Sequence, residues 1–498
     1  MLFNSIDFLI FFPIVLLVYY IIPKKISYLW LLVASYYFYM CWNAQYALLI
    51  LFSTVATYAG GMLIAWAGNK SWDDKKKTRT KKIFVALTLI LNLAVLFYFK
   101  YANFAIDTLT SLLDLVNVRL KIPSVDVLLP VGISFYTFQA LSYTMDVYRG
   151  DIEAEKNFLR YALFVSFFPQ LVAGPIERSG NLLGQLKERK PFSYDRARHG
   201  FVLMLWGFFL KIVLADRIAI FVDTIYGNYE KFGGWYIVIA TVLFAFQIYC
   251  DFYGYSTIAI GASQILGIEL MENFDSPYLS VSVAQFWRKW HISLTSWFKD
   301  YLYIPLGGSR KGKFRKYLNK LIVFLVSGLW HGASLSFVIW GGLNGIYQII
   351  GELLDPIKNK LFETVKINRE FVLIRWVRML ITFILVDFTW IFFRAGDLES
   401  LSGILKSVFN LDNFHIFKDG ALYHCGLDQK NFVLMLVCLL VLFVADIFKH
   451  CKIKLSEVLI KQNYFIRILV MIFAICAILT FGIWGSGYDK ANFIYFQF

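Results

Sequence analysis

The sequence predicts an all-α fold: a polytopic membrane protein with about 11 to 13 helices crossing the bilayer, in a single domain over residues 1–498. Two observations carry this. The chain is 59% hydrophobic and only 17% charged, where a soluble protein carries about 25% charge. Its apolar residues also gather in runs of about 20 rather than in amphipathic stripes, each long enough to cross a hydrocarbon core of about 30 Å.

In order, the expected spans are 6–22, 27–44, 46–67, 83–100, 125–148, 158–174, 200–224, 235–265, 318–335, 337–355, 374–393, 431–448 and 465–484. Two of them are allowed to be re-entrant or broken. The first lacks a basic leader and an A-x-A site, so it reads as a retained span and not a cleaved signal. Lys24 and Lys25 follow span one, the turn Asn43-Ala44-Gln45 is neutral, and Lys70, Lys75, Lys76, Lys77, Arg79, Lys81 and Lys82 follow span three. Positive charge is retained on the cytoplasmic side, so the N-terminus is expected outside. The basic loops 187–198, 310–320, 358–378 and 449–454 are expected inside, and the acidic stretch 395–430 outside. The net charge of +15 lies in these loops. No nucleic-acid-binding signature accompanies it, so the expected surroundings are lipid bilayer and not nucleic acid. The six cysteines show no metal spacing, and no metal site is expected.

His331 stands within the apolar run 321–340, where an ionisable group costs on the order of 2 kcal/mol or more unless offset. It is a candidate for chemistry or transport; a packing hydrogen bond to a neighbouring helix is the plainer alternative. The segment Gln285–Tyr301 reads as one amphipathic helix, with Phe286, Trp290, Leu294, Trp297 and Tyr301 on one side. Arg288, His291, Thr295 and Lys299 line the other, so His291 is either an interfacial acid/base group or an imidazole facing headgroups. Two histidines in one membrane core suit proton transfer at a hydroxyl. Asp146, Asp251 and Asp387, each in an apolar run, could orient a histidine or pair with an arginine such as Arg149 or Arg394; a structural ion pair or helix-end contact is the plainer reading of each. His199, His415, His424 and His450 lie near loop boundaries and are expected to face water. Gly307, Gly308, Arg310 and Lys311 could hold a phosphorylated donor, although the loop does not match a P-loop. Pro130-Val131-Gly132 and Pro169 to Arg178 interrupt helices, as backbone beside a tunnel can.

Several stretches together resemble one family. They are Phe286-Trp287-Arg288-Lys289-Trp290-His291-Ile292-Ser293-Leu294, Tyr301 to Gly308, Gly328-Leu329-Trp330-His331-Gly332-Ala333-Ser334, Trp340 to Gly345, and the closing Phe493 to Phe498. They look like the membrane-bound O-acyltransferases. Met1 to Ser5, Pro130 to Gln139 and Phe168 to Ile176 are similar to its bacterial branch of alginate O-acetylases, peptidoglycan O-acetyltransferases and teichoic acid D-alanyl transferases. The resemblance implies a ring of tilted helices around a central tunnel in the bacterial cytoplasmic (inner) membrane. It implies His331 and His291 as the catalytic pair, with Trp330, Arg288, Trp290, Asn344 and Ser334 as substrate or donor contacts. The implied donor is acetyl-CoA or an acyl-carrier thioester, with no tightly bound cofactor. The implied acceptor is a polysaccharide hydroxyl, reached directly or through an extracytoplasmic SGNH-type acetyltransferase partner. Alginate, cellulose, peptidoglycan or another exopolysaccharide would leave these motifs unchanged. D-alanyl transfer to teichoic acid is the rival within the class. A transporter using His331 as a proton relay is the rival outside it, although no internal repeat of the kind carriers show is visible.

Overall fold

The computed structural model describes residues 1–118, 122–366, 368–484 and 494. Among these residues the chain is helical, with no β-strand, in keeping with the all-α expectation. It divides into two compact units, residues 1–201 with 259–271, and residues 202–258 with 272–498.

The first unit begins with α1 (Ile6–Ile21), capped by the Ser5 side chain, which accepts from the Phe8 N–H. Then come α2 (Ser27–Met40), α3 (Ala47–Gly68), α4 (Asp74–Leu96) and α5 (Ile133–Arg149). Asp73 caps α4 by accepting from the Lys76 N–H. Beyond Leu96 the chain stays helical through a π-type turn, Phe97–Tyr101, to Leu115. In hydrocarbon, helices are held by close approach of small residues and by polar pairs, because lipid is as apolar as leucine. Both devices occur here: a Cβ on Gly60 would land on Thr88, and Ser53 Oγ donates to Asn92 Oδ1 at 2.6 Å. Asp146 takes the structural role open to it, accepting from Ser179 Oγ.

The second unit contains α6 (Trp235–Ile265) as far as Ile258, then α7 (Val283–Lys289), α8 (Ile292–Phe298), α9 (Gly312–His331), α10 (Leu335–Thr364), α11 (Val372–Ala395), α12 (Gln429–His450) and α13 (Tyr464–Phe481). α9 and α10 form a tight hairpin. A Cβ on Gly328 would strike the Phe337 carbonyl, and one on Gly341 the Phe324 carbonyl, so glycine lets the two backbones touch. Asp251 is paired, but with a cation the sequence reading did not single out. Lys211 Nζ lies 2.6 Å from Asp251 and 2.9 Å from Asp216, all three side chains buried. Asp251 also accepts from the Ile494 N–H at 2.8 Å. The rest of the closing motif, Phe493 and Tyr495 to Phe498, lies outside the described residues. Arg394 pairs with Asp223, at 2.7 Å.

Seven helices among the described residues are long and apolar enough to cross a membrane: 44–68, 74–115, 235–265, 335–364, 372–395, 429–450 and 464–481. The other expected spans are helical too, but shorter, interrupted or more polar. The stretch 125–148 becomes helical only at Ile133, because Pro130 and the left-handed Gly132 (φ 75°) delay it. The stretch 158–174 splits into Phe158–Ser166 and Phe168–Leu171.

Candidate active site

The segment expected to be one amphipathic helix is two short ones joined by a break. α7 ends at Lys289, Trp290 is extended, and His291 adopts a left-handed conformation (φ 44°, ψ 55°) before α8 starts. The break re-phases the helix. His291 is 1% exposed rather than aligned with the solvent-facing cations, while Arg288 and Lys299 stay exposed.

A strap of preceding chain holds the break open. The Asp275 N–H donates to the Lys289 carbonyl at 3.0 Å, and the Ile292 N–H to the Asn273 carbonyl at 2.9 Å. The Asn273 side chain accepts from the Ser293 N–H and donates to Ser256 Oγ at 2.7 Å. These bonds satisfy backbone groups that the missing helical turn leaves unpaired.

His331 is the last residue of α9, and it is buried. The turn after it is tight: a Cβ on Gly332 would overlap the Phe337 ring. Ser334 caps α10 by accepting from the Ser336 N–H, and its hydroxyl donates to the Gly396 carbonyl at 2.7 Å.

α7, α8 and the end of α9 bring the two imidazoles together, with ring centres 6.5 Å apart. Aromatic rings enclose the pair. Phe252 meets His291 edge-on at 4.6 Å, and Trp330 lies 4.9 Å from His331 and 6.0 Å from His291. Trp340 and Phe393 close on His331 at 5.1 and 5.5 Å. Trp290, Trp390 and Trp287 form the layer behind: Trp290 packs on Trp390 at 5.2 Å and Trp287 on Trp340 at 5.5 Å. Asn344 bridges this layer. It accepts from Trp287 Nε1 at 3.1 Å and donates to the Trp340 carbonyl and Thr389 Oγ1. Trp287 and Trp340 lie within the family-like stretches without being named as site residues, and Phe252, Trp390 and Phe393 were not singled out at all, because an aromatic residue in an apolar run gives no sign of what it encloses.

Burial in this apolar setting pushes the His291 imidazole down to about 3, since low dielectric disfavours the charged ring. His291 is therefore neutral at physiological pH, able to offer one N–H and one lone pair.

The membrane-bound O-acyltransferase family (MBOAT) matches residues 154–392, a stretch that holds both histidines. The chain is 33% identical to the probable alginate O-acetylase AlgI of Pseudomonas putida, covering 100% of each protein. It is 36% identical to that of Pseudomonas aeruginosa, over 87% of this chain and 80% of the relative. It is 33% identical to the peptidoglycan O-acetyltransferase of Helicobacter pylori, over 79% and 76% of the two. The chain belongs to the membrane-bound O-acyltransferase family. It is a multi-pass membrane enzyme, an O-acyltransferase.

Proposed function

We propose that this enzyme moves an acetyl group from a cytoplasmic thioester, acetyl-CoA, to hydroxyls of an extracytoplasmic polysaccharide, directly or through a partner acetyltransferase of the SGNH type. The carrying observation is the pair of imidazoles, 6.5 Å between ring centres inside an aromatic cage. That separation suits one reacting carbonyl, since hydrogen-bond reach is about 3 Å from each ring. Support for an acetyl group comes from the names of the relatives, two alginate O-acetylases and a peptidoglycan O-acetyltransferase.

In the mechanism, His331 takes the proton of the acceptor hydroxyl as its oxygen attacks the thioester carbonyl. It sits where the carbonyls at the C-terminal end of α9 stabilise a positive charge arising on the ring. His291, held neutral, donates its N–H to the carbonyl oxygen as negative charge develops there. The tetrahedral adduct then expels the thiolate, and the proton on His331 passes to sulfur, leaving ester and thiol. Trp330 and Trp340 exclude water that would otherwise hydrolyse the thioester. Asn344 and Trp290 act one layer out, by fixing the cage.

We read the chain as lying in the bacterial cytoplasmic membrane with its N-terminus outside, because its basic loops alternate with neutral or acidic ones. Radiolabelled acetyl-CoA added to membranes should release free CoA and label polymer or partner. Purified His331→Ala should lose transfer by about 100-fold or more, and near wild-type transfer by it would end the base assignment. Transfer only from a D-alanyl carrier protein would replace acetyl with the rival donor.

A further inference from the structure

His450, at the end of α12, stands between two cations. Lys289 Nζ lies 3.4 Å from its Nδ1 and Arg375 Nη2 lies 3.3 Å from its Nε2. A neutral imidazole has one lone pair and an imidazolium has none, so His450 can accept from at most one of them. The other cation is left facing an N–H. Neighbouring charge does not repair this. Lys289 shares Asp275, at 3.9 Å, with Lys452, at 3.6 Å, and Lys449 takes Glu272 at 3.4 Å. Arg375 has no carboxylate partner among the described residues. Four cations thus meet three carboxylates: Asp275, Glu272, which is 57% exposed, and Asp446, one turn earlier in α12, whose two oxygens already accept from the Tyr249 hydroxyl. Burial first, with Lys452 and Lys449 adding to it and Asp275 and Asp446 opposing, lowers Lys289 from its ordinary value. Cations outnumber carboxylates here, and Arg375 is the one left with only the His450 ring among the described residues.

We propose that Lys289, Arg375, Lys452 and His450 form a binding site for a phosphate group, that of the nucleotide end of the thioester donor. This rests on the acetyl-CoA reading above. Arg375 offers the planar fork that binds phosphate through two hydrogen bonds, while the lysines act as point charges. His450 donates from whichever nitrogen faces the anion and accepts from the cation on its other side. The site shares its scaffold with the active centre: Lys289 closes α7 two residues before His291, and its carbonyl is held by the same strap that fixes the break. Phosphate bound there would anchor the donor while its thioester enters the cage. An anionic lipid headgroup offers the same phosphate chemistry from another source.

The test uses the full chain in nanodiscs of phosphatidylcholine, with radiolabelled CoA in equilibrium dialysis and pyrophosphate as competitor. A parallel preparation adds phosphatidylglycerol, and lipid retained by the purified protein is quantified. Arg375→Gln should weaken CoA about tenfold, the loss of one charge-assisted pair. Lys452→Gln, at a position 80% exposed where folding is not at stake, should weaken it about threefold. Pyrophosphate should displace CoA from the wild type. Loss of phosphatidylglycerol retention in the variants, with no CoA bound by the wild type, keeps the phosphate site and makes lipid its occupant; the acetyl-CoA reading then fails separately. CoA binding and lipid retention both unchanged in both variants overturn the site, and leave the donor reading standing if the wild type binds CoA.

Discussion

His291 carries two costs that only its surroundings can offset. A left-handed backbone at a non-glycine residue costs about 1–2 kcal/mol, and its imidazole is buried among aromatic rings. The folded ring stays neutral down to about pH 3, while the unfolded one titrates near 6.5. Below 6.5 the unfolded chain therefore binds a proton that the folded chain refuses. Stability should fall by about 1.4 kcal/mol per pH unit through that window, with no such cost above it. Thermal unfolding of the purified protein should show a steeper acid dependence for wild type than for His291→Phe; equal slopes would refute the neutral, buried assignment. Lys211 presents the opposite case, a charge buried with two counter-charges at 2.6 and 2.9 Å. Lys211→Met would strand two carboxylates and should cost about 3–5 kcal/mol of stability, read as early loss of the monodisperse peak on heating. Asp251 within an apolar run was visible in the sequence as needing a partner. Which partner it has was not, since Lys211 lies 40 residues away in another helix.

At the scale of elements, the α9–α10 hairpin places His331, and glycine makes its approach possible. Gly341→Ala puts a methyl group into the Phe324 carbonyl, and the helices must part. Overpacking of this kind costs about 1–3 kcal/mol, and the displacement reaches His331 through α9, so transfer should fall with it. Gly351→Ala, on the same helix but meeting nothing within 4 Å, should leave both stability and transfer near wild type or slightly improve them, since alanine is the better helix former. Equal loss from both substitutions, in melting temperature and transfer rate, would show that close approach is not what Gly341 provides. The helical periodicity of Gln285–Tyr301 misled at this scale, because a 3.6-residue repeat assumes an unbroken helix. Asp275, donating to the Lys289 carbonyl, and Asn273, accepting from the Ile292 and Ser293 N–H groups, satisfied the backbone on either side of Trp290–His291 and allowed the break. No strong local signal marks it: the segment holds no glycine or proline, and Trp290, His291, Ile292 and Ser293 are of middling helix propensity and not helix breakers.

For the whole molecule, charge asymmetry between loops sets the expected topology. A cysteine placed ahead of α1 should react with a membrane-impermeant maleimide in intact cells, while one in the lysine-rich loop 70–77 should react only after lysis. The reverse pattern would invert the proposed path of the acetyl group. The sequence by itself determined the membrane class, the all-α architecture and the candidacy of His331, because each follows from local composition: apolar run length, the absence of charge, and one ionisable group at depth. The motifs also carried the family. Tertiary structure alone decided that His291 turns inward, that Phe252, Trp340 and Phe393 close the cage with Trp287 and Trp390 behind them, that Asn344 braces it and that His450 lies between two cations. Those facts depend on contacts between helices far apart in the chain. The contacts are set by which backbones can touch and which polar groups find partners once water is gone, and no window of neighbouring residues contains that information.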